Sequence, residues 1–191
     1  MRNLVYYVAA SLDGYIAGPA GEYDALLAEG DHMDAIYARY PDTVPTAAAA
    51  ALGIEQPGEV FDTVLMGWNT YAVGLSFGVT SPYSHLRQVV FSRSRSAEGD
   101  RLDVTADDPV DVVRALKQEQ GADIWLCGGG GLAAALVDEI DRLVLKVNPV
   151  LFGAGIPLFA GDAYRPRDFE LTSSTPYGSG VTIAEYSRRS G

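Results

Sequence analysis

The chain has 191 residues, 48% of them hydrophobic and 20% charged, with a formal net charge of −11 at pH 7. Those totals describe an ordinary folded protein, which we place in one domain over residues 1–191. They argue against a nucleic-acid partner, whose phosphates need a basic face, and no apolar run reaches the roughly 18 residues of a membrane span.

The first stretch, MRNLVYYVAASLDGYIAG, has the apolar run of a secretion signal. Its run is β-branched and aromatic, however, and Asp13-Gly14 punctuates it as a turn, so Leu4–Ala10 is expected as a strand. Asp24–Tyr40 is expected as a helix, and Thr46–Gly53 (TAAAAALG) as a short helix with a glycine stop. Thr63–Met66 reads as a buried strand, followed by a helix capped by Asn69 or Thr70. Gln88–Phe91 is a further strand. In DDPVDVVRALKQEQG, Asp108 is the expected N-cap, Pro109 the first helical residue and Gly121 the stop, with Val112, Val113 and Leu116 on the apolar face. Asp123–Cys127 is a strand, Leu132–Ile140 a helix and Leu143–Val147 a strand. Phe169–Ser174 and Val181–Tyr186 flank TPYGSG as an antiparallel hairpin. Strands alternating with helices give an α/β fold with a mostly parallel sheet and an antiparallel end.

Two junctions carry chemistry. Gly128, Gly129, Gly130 and Gly131 stand between a buried strand and a helix that begins near Leu132. They serve either a sharp turn or a phosphate cradle, in which main-chain N–H groups meet a diphosphate unobstructed by Cβ atoms. Gly128, Gly130 and Ala133 satisfy a G-x-G-x-x-A pattern, but the following strand, LVLKVNP, lacks the acid of a Rossmann dehydrogenase. At the second junction a strand meets Gly67, Trp68, Asn69 and Thr70. Shortly after, QVVFSRSRS places Ser92, Arg93 and Ser94 just past a strand end, as a solvated loop or as hydroxyls and a guanidinium gripping a lone phosphate.

VAASLDGYIAG, VLMGWNTY, VVFSRS, IWLCGGGGL and PVLFGAGIPLF together span almost the whole chain. In kind and order they resemble the dihydrofolate reductase-like superfamily, especially small bacterial reductases related to the C-terminal, reductase domain of the riboflavin-biosynthesis deaminase/reductase. The resemblance implies a three-layer fold around an eight-stranded, mostly parallel sheet, with NADPH as hydride donor. It implies that Gly128–Gly131, with Leu132, hold the cofactor diphosphate around a cis Gly128–Gly129 peptide, and that Gly67–Thr70 bind it from the other side. It places the 2′-phosphate at Ser92, Arg93 and Ser94, and the nicotinamide at Ala9 and Ile16.

Two departures stand out. Trp68 occupies the arginine position of the family's Gly-Arg-x-Thr, a loss of about 1–3 kcal/mol if that contact is charge-assisted. Tyr15 follows SLDG, where the riboflavin enzymes carry a basic residue near the substrate, and this weighs against a ribose phosphate substrate.

Folate reductases hold the pterin with a carboxylate on the first helix. Asp31 and Asp34, three apart on one helix face, are the catalytic candidates, with Asp24 and Glu29 nearby. Tyr23, Tyr37 and Tyr40 offer stacking surfaces for a planar substrate. Asp13 belongs to a turn, His32 to the surface and His85 to a loop. Cys127 reads as a core residue, and no His/Cys/Asp cluster has metal-ligand spacing. A lone cysteine suits the cytoplasm. The expected activity is NADPH-dependent reduction of a pterin- or pyrimidine-like heterocycle. Alternatives are a non-catalytic binding protein on the same fold and the riboflavin-pathway pyrimidine reductase. The apolar segment Leu143–Gly161 points to a homodimer.

Overall fold

The structure, a computed structural model, describes residues 1–189. Leu4–Ala10 forms β1, buried on both faces at Leu4, Val5 and Tyr6 because β1 runs through the middle of the main sheet. Tyr15–Ala17 is the short β2. The first helix, α1, spans Asp31–Arg39 rather than the expected Asp24–Tyr40. Gly30, at φ 127, holds a conformation no helix can contain, and the Leu27 N–H goes to the Asn148 side chain at 2.8 Å instead of to a helical carbonyl. Thr46–Leu52 is α2, ended by left-handed Gly53 as expected.

Phe61–Gly67 is β3 and Trp68–Ser76 is α3. The α3 N-cap is Gly67, without a side-chain cap, in place of the expected Asn69 or Thr70, so the first-turn N–H groups are left for another partner. Arg87–Phe91 is β4 and Leu102–Thr105 is β5. The sequence reading missed β5, an edge strand whose L-D-V-T alternation is too short to stand out. Pro109–Gln118 is α4, with the Asp108 carboxylate accepting from Val110 N at 2.8 Å. Asp123–Gly128 is β6. Gly130–Ala135 is α5, shorter than the expected Leu132–Ile140. Arg188 takes the carbonyls of Val137 and Ile140, and the chain beyond α5 continues in turns, with Glu139 N and Ile140 N both donating to Leu136 O. Arg142–Val147 is β7, Ile156–Pro157 β8, Phe169–Pro176 β9 and Thr182–Arg188 β10.

Eight strands form one sheet in the order β5-β4-β3-β6-β1-β7-β10-β9. Pairs from β5 to β7 are parallel, and β10 is antiparallel to both β7 and β9. One face carries Val5, Tyr7, Trp125 and Val144 against Ile36 of α1 and Tyr71 of α3. The other carries Leu4, Tyr6, Leu126 and Leu143 against Val113 and Leu116 of α4 and Ala133 and Leu136. Among the described residues no helix is long and apolar enough to cross a membrane.

Candidate active site

Parallel strands bring their carboxyl ends to one edge, and the two glycine junctions meet there because β3 and β6 are neighbours. A Cβ at Gly67 would lie 3.7 Å from Gly129 N and 3.8 Å from Gly128 O. A Cβ at Gly129 would touch Thr70 Oγ1 at 3.5 Å and Ile16 Cδ1 at 4.0 Å. The turns therefore face each other across a gap that a single methyl group would fill. Neither α3 nor α5 has a side-chain cap, so the main-chain N–H groups of both first turns remain for a ligand. The Gly128–Gly129 peptide is cis.

Gly130 answers to the chain itself. A Cβ there would meet Pro157 O at 2.1 Å, and Ala160 N donates to Gly130 O at 3.0 Å. β8 pairs with β2, so the segment around Ile156–Phe159 braces the glycine turn from below and carries Ile16 to its rim. Asp13 fastens this ribbon. Its carboxylate accepts from Ser11 Oγ, Phe152 N and Gly153 N, and these bonds, Ser11's first, hold its pKa down at about 2.

Ser92 follows β4 directly, with Arg93 and Ser94 exposed beyond it and free of ion pairs among the described residues. Ser92 Oγ accepts from Arg95 N at 2.9 Å. The Arg95 guanidinium lies over the Trp68 ring, 5.5 Å from its centroid. A cation thus stands beside the position where the family's arginine is missing. Asn69 is exposed, and Leu132 is half-buried against the α4/α5 core.

The sheet face covered by α1 holds the remaining candidates. The structure turns Asp31 away, since its carboxylate accepts from Gly178 N at 2.6 Å and Ser179 N at 3.0 Å in the β9–β10 turn. Those bonds lower its pKa. Asp34 is exposed. His32, expected at the surface, is 2% exposed. It contacts Ser179 Oγ through Nδ1 at 2.9 Å and Leu27 O through Nε2 at 3.3 Å, clamping α1 to the hairpin. Tyr40 has no free face, because its ring lies 5.0 Å from Tyr7 and 6.3 Å from Phe61. Tyr37 is partly buried against the same cluster, and Tyr23 is exposed in the turn before α1. Burial pushes the Cys127 thiol up to about 12, which makes it a poor nucleophile. His85 bonds to Thr46 Oγ1 and Asp42 O.

Sequence reasoning missed Lys146. Ala9 of β1 is paired directly with Lys146 of β7, so both side chains project from the same face at the carboxyl ends. The Lys146 ammonium lies 4.5 Å from the centroid of the Tyr7 ring. The register needed to find this neighbour is not visible within either local segment.

An open depression of about 540 Å³ lies at the other end of the sheet, lined by Met1, Arg2, Lys117 and Asp123 among others. Its cations are already paired, Arg2 with Asp62 and Lys117 with Asp141. It therefore does not compete with the glycine junctions as a site.

The RibD C-terminal domain profile matches residues 2–183. The chain belongs to this family. YwjB of Bacillus subtilis (strain 168) is 32% identical over 185 residues, 95% of this chain and 96% of that protein. YyaP of the same organism is 25% identical over 97% of this chain and 94% of its own length. A crystal structure from Shewanella sp. PV-4, of a protein named for riboflavin biosynthesis, matches with a TM-score of 0.71 and 27% identity over the whole of both chains. Dihydrofolate reductase from Enterococcus faecalis, complexed with NADP(H) and RAB-propyl, matches with a TM-score of 0.60 at 14% identity over 98% of this chain and 97% of that one. The fold is that of dihydrofolate reductase.

Proposed function

We propose that the protein is an NADPH-dependent reductase of a planar, pterin- or pyrimidine-like heterocycle. The observation that carries this reading is the pair of facing glycine turns, Gly67 and Gly128–Gly129, separated by a gap that one Cβ would fill. The turns on its two sides carry uncapped first-turn N–H groups, which suit a nucleotide diphosphate lying across their rim. When bound, NADPH supplies a hydride. Gly67, Thr70, Gly128, Gly129 and Gly131 would hold its diphosphate, and Ser92 and Arg93 its 2′-phosphate. Arg95, held over Trp68, would replace the missing family arginine. Ala9 and Ile16 would set the nicotinamide, and the half-buried Ile16 side chain would keep water from its edge. Support comes from the family, from the NADP(H) complex of the fold neighbour, and from a Thermotoga maritima deaminase/reductase structure. That structure matches with a TM-score of 0.64 at 16% identity, over 98% of this chain and 57% of that longer one.

Titration of NADPH and NADH by cofactor fluorescence tests the reading. NADPH should bind more tightly, and Arg93→Ala should cost about 1–3 kcal/mol for NADPH while leaving NADH unchanged. Equal affinities for the two nucleotides would refute it.

A non-catalytic binding protein is the second reading. Its support is the state of the carboxylates: Asp31 is held by the hairpin and Glu185 by Arg39 and Arg142. NADPH binding with no consumption on any heterocycle offered would favour it.

A further inference from the structure

Trp68 and Ser92 stand side by side, because Gly67 at the end of β3 is paired with Phe91 at the end of β4. The chain after β4 then turns back on itself, since Arg95 N donates to Ser92 Oγ at 2.9 Å. That bond uses one acceptor site of the hydroxyl and leaves its hydrogen to donate elsewhere. The turn lays the Arg95 guanidinium over the Trp68 ring, 5.5 Å from the centroid. The ring itself is anchored. Trp68 is half-buried and meets Tyr71 in a T-shaped contact at 5.5 Å. Tyr71 is fully buried, and its hydroxyl donates to Thr80 O at 2.8 Å. Arg93, two residues earlier, is exposed, with no aromatic or ionic partner among the described residues. One arginine of SRSRS is therefore seated and the other is loose. Arg95 makes no side-chain hydrogen bond or ion pair among the described residues, so its N–H donors are uncommitted. An exposed cation–π contact is weak, so it fixes where the guanidinium sits more than it stabilises the fold.

We infer that Trp68 is a positioning residue for nucleotide selection: it seats Arg95, and the preference for a 2′-phosphorylated ribose that Arg95 supplies depends on the indole ring. This rests on the NADPH reading above. The chain holds 25 acidic residues against 14 basic ones, so carboxylate partners for a surface arginine are plentiful. A carboxylate would consume the N–H groups of Arg95 and cancel its charge, whereas an aromatic ring attracts the charge and leaves the donors for phosphate oxygens. Seating the long side chain beforehand also removes part of the rotamer entropy lost when it grips a ligand. The Ser92 hydroxyl hydrogen stands at the base of the same turn as a second donor. Loss of the ring thus weakens the grip although no charge is lost. Arg93 adds charge at the same strand end, but nothing couples it to Trp68.

The test is a set of double-mutant cycles on the whole chain, read by cofactor fluorescence with NADPH and NADH as the titrants. Arg95→Gln should weaken NADPH about tenfold or more and change NADH by less than about twofold. Trp68→Met keeps apolar bulk without a ring, and it should weaken NADPH at least about threefold with the same indifference to NADH. The two changes together should cost no more than Arg95→Gln alone, whereas Trp68→Met and Arg93→Ala should be additive. Trp68→Arg in the Arg95→Gln background should bring NADPH back to within about threefold of wild type, since one cation again serves the phosphate. Additive losses from Trp68→Met and Arg95→Gln, an equal loss for NADH, or no recovery by Trp68→Arg would each overturn the assignment. Melting curves check the folding of every variant. Should Trp68→Met not fold, the exposed Arg95→Gln change and its Trp68→Arg partner still decide. Wild type binding both nucleotides equally would refute the NADPH reading itself, whereas selective NADPH binding with an additive cycle would refute only the role of Trp68.

Discussion

At Gly130 a methyl group would strike Pro157 O at 2.1 Å, whereas at Gly129 it would rest against Thr70 and Ile16 at ordinary contact distance. Neighbouring glycines are therefore required for different reasons, one by the chain's own backbone and one by the gap that faces β3. Gly128 adds a third reason, a φ of 144 that side chains rarely adopt. Substitutions should separate these roles. Gly129→Ala should fold with an unchanged melting temperature and lose about tenfold or more in NADPH affinity, because its methyl fills the gap. Gly130→Ala should instead lose about 1–3 kcal/mol of stability in a denaturant melt, since the Pro157 carbonyl must move. Undiminished NADPH binding by Gly129→Ala would return the turn to a purely structural role.

Short elements joined by side-chain clamps shape the loops around the glycine turns and α1. Asp13 ties the β1–β2 turn to Phe152 and Gly153, and its pKa is held at about 2, below the ordinary value near 3.9. A depressed folded pKa gives stabilisation that is full above the unfolded value and is lost as pH falls through the folded one. Asp13→Asn should accordingly be less stable than wild type from pH 7 down to about 5, with the difference closing between about pH 4 and 2. Thermal melts across that range check it, and a pH-independent difference would refute it. The same clamps explain what was legible beforehand. Each half of the glycine cradle is a strand, a glycine and a helix in unbroken sequence, so it shows in a dozen residues. The region from Gly21 to Glu59 is different. Asn148 caps Leu27, and buried Asp42 accepts from Gly58, Val60 and Phe61, so its shape is set by residues far off in sequence or by loop contacts without periodicity. Lys146 was hidden likewise, for its relation to Ala9 exists only in the register of β1 with β7. Asp31 and Asp34 looked like a pair by helical spacing, but spacing cannot show that the hairpin claims one of them.

For the molecule as a whole, the apolar segment after β7 divides. Phe159 turns inward against Tyr6 at 5.4 Å, while Leu151 stays 69% exposed beside Leu12, 60% exposed, whose N–H bonds to Val150 O. We propose a two-fold homodimer that covers this remaining patch or the edge of the closing hairpin near Leu171. Light scattering at micromolar concentration should give twice the mass of one chain, and Leu151→Lys should reduce it if the patch is the interface. A monomer mass that holds across dilution and salt would refute the dimer. The position of β1 has a different consequence, in the order of events during synthesis. Asn3 bonds to Asp123 across 120 residues and Leu4 to Asp141 across 137, so both neighbours of the central strand leave the ribosome long after it does. Until then LVYY is a bare strand with two open edges. The most buried part of the native sheet is thus the longest unprotected part of the nascent chain, and its exposure ends only when β6 and β7 arrive to close over it.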